Sequence, residues 1–86
     1  MHEKGVTDRL IKEICAIAEK EKANTIVKVS VRLGALSHMS PSHFKEHFDI
    51  ASRGTIAEHA VIVTEESDDI HDPHASAVVL KSVDVT

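Results

Sequence analysis

The first three residues, Met1-His2-Glu3, form a compact, nitrogen-rich chelator at the start of the chain. The α-amine, the His2 amide and the His2 imidazole Nδ1 can close two small chelate rings around one cation. A deprotonated backbone amide is a strong-field ligand that favours square-planar nitrogen sites, and this geometry selects Ni(II) or Cu(II). Nickel is therefore the first cation to consider at this terminus. The simpler interpretation is a solvated histidine on a frayed chain end.

A second histidine pattern, His43 to His47, spells the H-x-x-E-H signature of inverted zinc proteases. Histidines four residues apart share one helix face, and the intervening glutamate would activate water. A chain this short, with Phe44 and Phe48 directed inward, offers no obvious third ligand and no substrate cleft. We therefore interpret the pair as solvated histidines that could still bind a metal at a crystal or dimer contact.

The segment from Asp68 to His74 concentrates carboxylates and imidazoles between two predicted strands. His71 or His74 could supply extra nickel ligands, although a polar turn is the simpler interpretation. His38 lies on another predicted loop and becomes a candidate fourth ligand if that loop approaches the amino terminus. His59 is expected at a solvent-facing strand start.

Hydrophobic periodicity predicts two helices. From Val6 to about Lys22, apolar residues recur every three or four positions while charged residues fill the other face. This helix follows Gly5, so the amino-terminal chelator should lie at the amino end of the helix. The second helix is capped by Ser40, has a proline in its first turn and carries both phenylalanines inward. It ends before Gly54.

Three strands are predicted from β-branched, alternating segments. The first contains Val27, Val29, Val31 and Leu33 and is closed by a glycine. The second spans 60–66 and the third 77–86, and we expect them to pair as an antiparallel hairpin through the loop at 67–76. Apolar residues on both faces of the third strand indicate either a slip or bulge near Ser82 or a partner that covers the second face.

The order helix, strand, helix, strand, strand predicts an α/β fold, a two-layer sandwich with two helices on one face of a small three-stranded mixed sheet. The other face would remain open. Part of this face should be exposed to solvent, because it carries Lys28, Ser30 and Arg32. Apolar residues on both sides of segment 60–63 suggest that the rest of the face forms a homodimer or client interface.

The composition of the chain argues against several classes of function. The chain has 86 residues, enough for one domain, and carries a net charge of −4 with no Tyr or Trp. It therefore lacks the basic stripe and aromatic platform of a nucleic-acid binder. The single cysteine, Cys15, forms no internal disulfide and suits a reducing cytoplasm. No signal peptide, membrane span, nucleophile–base pair or phosphate loop is recognisable, so we expect a cytoplasmic protein that is not an enzyme.

Four segments in order resemble the HypA/HybF family of hydrogenase and urease nickel-insertion accessory proteins. The opening triplet resembles the family's start, and VSVRLGALS (29–37) resembles its first strand and glycine turn. GTIAEHA (54–60) is similar to a GT-x-A-x-G-A segment, and LKSVDV (80–85) to the closing strand. The resemblance implies nickel binding by His2 through its side chain and backbone nitrogens, by the amide of Glu3, and by the Met1 amine as an additional donor.

The chain also departs from the family's pattern. The family inserts a four-cysteine zinc domain between its second and third strands, and here the short loop 67–76 replaces it, so no structural zinc is expected. Ala35 stands where the family commonly has Glu, Ser40 where an Asp implicated near the metal is usual, and His59 where glycine is usual. These changes bear on metal affinity and on the recognition of a client.

The resemblance implies one domain, 1–86, that acts as a nickel metallochaperone in the maturation of a nickel enzyme such as a hydrogenase. Its partners would be the enzyme precursor or other maturation proteins. The alternative is a metal-free interaction or structural module that keeps the fold alone.

Overall fold

Five elements follow one another along the chain: α1 (His2–Lys20), β1 (Ile26–Leu33), α2 (Pro41–Ala51), β2 (Val61–Glu66) and β3 (Val78–Val85). They are seen in a computed structural model that describes the backbone of residues 2–86 and the side chains of residues 5–86. The two helices and the three-stranded mixed sheet confirm the predicted α/β fold. None of the described helices is long and apolar enough to cross a membrane.

The sheet order corrects the predicted hairpin. The strands lie in the order β2-β1-β3, so β2 and β3 occupy opposite edges and do not pair with each other. β1 pairs in parallel with β2 and antiparallel with β3. A helical crossover between successive strands places them in parallel, and α2 is that crossover between β1 and β2. The connection from β2 to β3 therefore passes across the end of β1.

Two irregularities in the pairing of β1 with β3 set which residues face the helices. Between Ser30 and Val31 the register shifts, which leaves Lys81 as the extra residue beside Ser82 and confirms the bulge expected there. A second shift lies at Val27. As a result Ile26 is buried and Val27 is exposed, the reverse of the inward direction that strict alternation predicts for Val27.

The core lies between the helices and the sheet. The helix α1 packs against α2 and β3, and α2 packs against β2. Both phenylalanines of α2 are almost completely buried, as predicted, and each such side chain stabilises the fold by roughly 1.5–3 kcal/mol through removal of apolar surface from water. The largest buried apolar side chains are Leu10, Ile14, Ile26, Val29, Val31, Leu33, Phe44 and Phe48.

The segment GTIAEHA forms a structural turn after α2. Gly54 has a φ of +81°, a conformation that glycine adopts without steric cost. The hydroxyl of Thr55 donates to the Ser52 carbonyl at 2.7 Å and accepts from the Ala57 amide at 3.1 Å. Ala57 is fully buried, and the Ile56 carbonyl accepts a hydrogen bond from the Ile26 amide. The turn therefore ties the end of α2 to the beginning of β1.

Candidate metal site at the amino end of the first helix

The helix α1 begins at His2, earlier than the start after Gly5 that the apolar spacing predicts. The backbones of His2 and Glu3 thus belong to its first turn, while their side chains lie outside the described residues, and Met1 lies wholly outside them. Among the described side chains of α1, Val6 is the first that packs against the core cluster. The proposed nickel ligands therefore belong to the helix end itself.

The first turn of a helix leaves its amide groups without carbonyl partners inside the helix. The amides of His2 and Glu3 are two of these groups, because α1 starts at His2. A metal that replaces an amide proton at these positions breaks no hydrogen bond of the helix ladder. The same reaction in the middle of α1 would sacrifice one such bond for each nitrogen used. The observed helix start is therefore compatible with amide ligation.

The helix dipole acts against a bare cation at this position. The amino end of a helix carries a partial positive charge, and a neighbouring cation is disfavoured by roughly 0.3–1 kcal/mol. Two deprotonated amides carry two negative charges, which cancel the double positive charge of Ni(II). Ligation by the amides of His2 and Glu3 would therefore produce a neutral metal–backbone unit, whereas ligation by neutral imidazole alone would not.

The described part of α1 is anchored in the core from Val6 onward. Thr7 is fully buried, Leu10 is 2% exposed, and Val6 packs against the core cluster. Gly5, in contrast, is exposed and has open space around it. Glu3 and His2 therefore precede the packed residue Val6 by three and four positions along α1.

The remaining candidate histidines are dispersed over the described part of the chain. His38 is exposed on the loop after β1 with a φ of +56°, and His59 is exposed in the turn before β2. His71 and His74 are exposed on the connection from β2 to β3. Across the described residues, no three His, Cys, Asp or Glu side chains converge in a way that could hold a metal ion.

The acidic loop is explained by turn chemistry. A carboxylate oxygen of Asp69 accepts from the His71 amide at 2.9 Å, and a carboxylate oxygen of Asp72 accepts from the His74 amide at 2.8 Å. Aspartate commonly accepts a hydrogen bond from the backbone two residues later. The repeated Asp-x-His spacing thus stabilises two successive turns, in agreement with the simpler interpretation of this loop.

Ser40 caps α2. Its hydroxyl accepts a hydrogen bond from the His43 amide at 3.2 Å, and Pro41 occupies the first turn as predicted. Serine and aspartate are similarly good caps. A serine at this position therefore preserves the start of α2 but lacks the charge of the aspartate that the family resemblance implies.

The open face of the sheet carries an ion-pair cluster that the sequence did not predict. Glu65 on β2 accepts from Lys81 Nζ at 2.7 Å and from Arg32 Nε at 3.2 Å. The hydrogen bond from Lys81, followed by that from Arg32, lowers the pKa of the Glu65 carboxyl from its ordinary 4.5. Only the strand order brings these residues together. The signal available in the sequence was limited to the open-face assignment of Arg32.

Exposed apolar side chains lie beside this cluster on the open face. Val61 and Val63 of β2 are 59% and 41% exposed, and they pair with Lys28 and Ser30 of β1. The open face thus combines charge with uncovered apolar surface, as expected from the sequence.

Comparison with known proteins places the chain in a family. Residues 1–71 match the family model described as hydrogenase/urease nickel incorporation, metallochaperone, HypA. The matched region extends from the amino-terminal triplet through β2, and it ends within the connection that leads to β3.

Named relatives show the same relationship. The hydrogenase maturation factor HypA of Archaeoglobus fulgidus is 38% identical over 60 residues, which cover 70% of this chain and 54% of the relative. The HypA of Pyrococcus furiosus is 35% identical over 68 residues, covering 79% of this chain and 49% of the relative. The chain thus spans about half the length of the curated relatives it matches.

Solved structures share the fold. The solution structure of the Ni metallochaperone HypA from Helicobacter pylori superposes with a TM-score of 0.79 at 18% identity, covering 96% of each chain. A second solution structure of a HypA protein gives a TM-score of 0.78 at 21% identity, covering all of this chain and 97% of the other. With residues 1–71 matched by the family model, these findings show that the chain belongs to the HypA family.

Proposed function

We propose that this protein is a nickel metallochaperone that binds Ni(II) at the amino end of α1 and passes it to the maturation of a nickel enzyme such as a hydrogenase. The observation that carries the proposal is the family match over residues 1–71, which includes the opening triplet. The relatives named above are hydrogenase maturation factors, which supports a hydrogenase precursor as the client.

The proposed ligands are nitrogens of Met1, His2 and Glu3. The imidazole and amide of His2 and the amide of Glu3 provide three donors, and the Met1 amine is the additional one. Deprotonated amide, amine and imidazole nitrogens suit low-spin Ni(II), whose preferred tetragonal geometry distinguishes it from zinc. The start of α1 at His2 supports this set, because both amides precede the hydrogen-bonded ladder.

Transfer to a client requires that the ligands leave the metal in steps. A site at a chain terminus allows this, because an incoming ligand can displace the amine or imidazole before the amides are reprotonated. Such an exchange moves a cation without making or breaking a bond in a substrate molecule. We therefore infer a carrier of nickel rather than an enzyme.

We infer that the chain is one nickel-binding domain, 1–86, that needs no zinc to fold. Its only cysteine, Cys15, is half-buried on α1, and the connection between β2 and β3 contains none. The absence of a four-cysteine ligand set in this chain supports the inference. Treatment with EDTA should leave the midpoint of thermal unfolding unchanged, whereas a decrease of many degrees would contradict it.

Other maturation proteins are the proposed partners, and the open sheet face with Val61 and Val63 is the surface we assign to them or to a second copy. We place this activity in the cytoplasm, where a single unpaired cysteine stays reduced.

The test is a nickel titration of untagged protein that begins at Met1, monitored by isothermal titration calorimetry. One equivalent should bind tightly at the amino terminus, and His2→Ala should weaken this tight binding by at least about tenfold, since even loss of an outer partner of a metal ligand costs 10–100-fold. His59→Ala removes an exposed histidine elsewhere and is the matched control. Full retention of affinity in His2→Ala would reject the ligand assignment, and absence of binding in every form would favour the metal-free interaction module.

A further inference from the structure

We propose that His43 and His47 on α2 form a second metal site, which takes one divalent transition-metal cation through two imidazole nitrogens. The two histidines are four residues apart in a helix that spans Pro41–Ala51, so their side chains stand one above the other. None of the ligands proposed at the amino terminus is part of this site.

The distance between the two rings fits a shared cation. Their centroids are 4.7 Å apart, with 38° between the ring planes. A metal–nitrogen bond of about 2.0–2.1 Å places each centroid about 3.2 Å from the metal, so two imidazoles have centroids about 4.5 Å apart at a right angle and about 5.2 Å apart at a tetrahedral angle. The observed separation lies between these values. Rotation about the last side-chain torsion, which is soft for histidine, would direct both nitrogens to one point.

The backbone that carries the pair is held firmly. Ser40 and Pro41 fix the start of α2, and each histidine immediately precedes a phenylalanine that is at most 1% exposed. Phe44 and Phe48 contact each other on the inner side with ring centroids 6.0 Å apart. The two histidines therefore keep their relative height on the helix without a metal, and binding need not order the chain.

Both rings are available to a cation from solvent. His43 is exposed and His47 is half-buried. Within residues 5–86, neither imidazole takes part in a hydrogen bond or an ion pair, so metal binding would disturb only the contact between the two rings.

The site would supply two of the cation's ligands. Glu46 lies on the same stripe, yet the described side chains include no third donor that converges on the pair. The remaining coordination positions would hold water or a ligand from a client, and hydrolysis by an H-x-x-E-H mechanism would lack its third protein ligand. Imidazole suits Zn(II), Ni(II) and Cu(II), so the chemical class is a borderline divalent cation.

Zn(II) is the most discriminating probe because it has no preference for the square-planar geometry of deprotonated amides. The experiment titrates zinc chloride into EDTA-treated protein that carries His2→Gln, with binding measured by calorimetry and by the imidazole signals in ¹H–¹⁵N spectra. We expect one equivalent to bind, with the signals of His43 and His47 changing together. His43→Gln or His47→Gln should each weaken this binding at least about tenfold, as loss of a direct ligand exceeds loss of an outer partner.

A spacing control tests whether zinc binding requires two histidines four residues apart or only two histidines at any spacing. The double variant Lys45→His with His47→Gln keeps the number of histidines but places them two residues apart, on different helix faces. It should bind zinc as weakly as His47→Gln alone, and circular dichroism without metal should confirm that α2 is intact. Wild-type affinity in the double variant would overturn the proposal. Zinc binding that instead follows His71→Gln and His74→Gln would overturn it as well, and neither result would affect the nickel assignment at His2.

Discussion

A methyl group built on Gly34 would lie 2.2 Å from the carbonyl oxygen of Ala75, much closer than atoms can approach without a shift of the backbone. Gly34 follows β1, and Ala75 belongs to the connection that crosses from β2 to β3. The Leu36 amide donates to the same Ala75 carbonyl at 2.7 Å, and the Gly34 amide donates to Ala77 at 3.0 Å. The crossing that replaces a simple hairpin thus depends on a residue without a side chain.

Gly34→Ala should therefore destabilise the protein by about 1–3 kcal/mol, the usual cost of forcing extra atoms into a packed site. Chemical unfolding followed by circular dichroism measures the change. Gly5→Ala is the matched control, since nothing lies within 4 Å of a methyl group built there. At this helical position alanine should be neutral or stabilising by up to about 1 kcal/mol. Equal effects at the two glycines would contradict the close approach.

The cap of α2 gives a second prediction. Ser40→Ala removes the acceptor of the His43 amide and should cost about 1 kcal/mol of the free energy of unfolding, whereas Ser40→Asp should stay within a few tenths of wild type. Thermal unfolding of wild type and the two variants measures these differences in stability. If alanine is tolerated as well as aspartate, the hydroxyl does not cap the helix.

Glu65 should make stability depend on pH. Its folded-state pKa lies below the ordinary 4.5 because it accepts hydrogen bonds from Lys81 and Arg32. The stabilisation by this carboxylate is thus fully present above pH 4.5 and is lost as pH falls through the lower folded value. At neutral pH, Glu65→Gln should unfold at a slightly lower temperature than wild type, and the gap should close on acidification. The effect is small and shrinks with added salt, since the group is exposed to solvent.

Glu58→Gln is a useful control for this pH dependence, since among the described residues the Glu58 carboxylate forms no ion pair and accepts only a long hydrogen bond from the Gly54 amide at 3.4 Å. A gap between wild type and Glu65→Gln that persists unchanged to pH 2 would show that the ion-pair cluster does not account for the difference.

The sequence predicted most of the fold because its local signals were strong. Alternation in β1 from Val29 to Leu33, the cap at Ser40 and the two phenylalanines each match the structure. Strand order was harder, because β2 and β3 are neighbours along the chain and their separation by β1 depends on long-range pairing. The inward assignment of Val27 failed for a related reason, since a bulge is a property of two paired strands.

In the candidate sites, too, features set by local spacing could be predicted, whereas features set by long-range pairing could not. Helical spacing alone placed His43 beside His47, and the structure adds the separation of their rings. The cluster around Glu65 joins three strands, so it could not be found without their order and register. The start of α1 at His2 was missed because hydrophobic periodicity reports packing, and helical backbone can extend beyond the packed residues.

Extending the chain at its amino terminus tests whether the Met1 amine is a ligand. A Gly-Ser dipeptide placed ahead of Met1 converts that amine into an amide and moves the free amine away. Nickel affinity, measured by competition with a chromogenic chelator, should fall at least about tenfold on loss of a direct ligand. A carboxy-terminal Gly-Ser extension is the control. Unchanged affinity with the amino-terminal extension would remove Met1 from the ligand set while leaving His2 and Glu3 to be tested separately.

The most direct test of the nickel site is the electronic spectrum and magnetism of untagged protein loaded with one equivalent of Ni(II). Square-planar ligation by the nitrogens of Met1, His2 and Glu3 predicts a yellow, diamagnetic complex that is absent from His2→Ala. A paramagnetic, six-coordinate spectrum that His2→Ala leaves unchanged would contradict the proposed site.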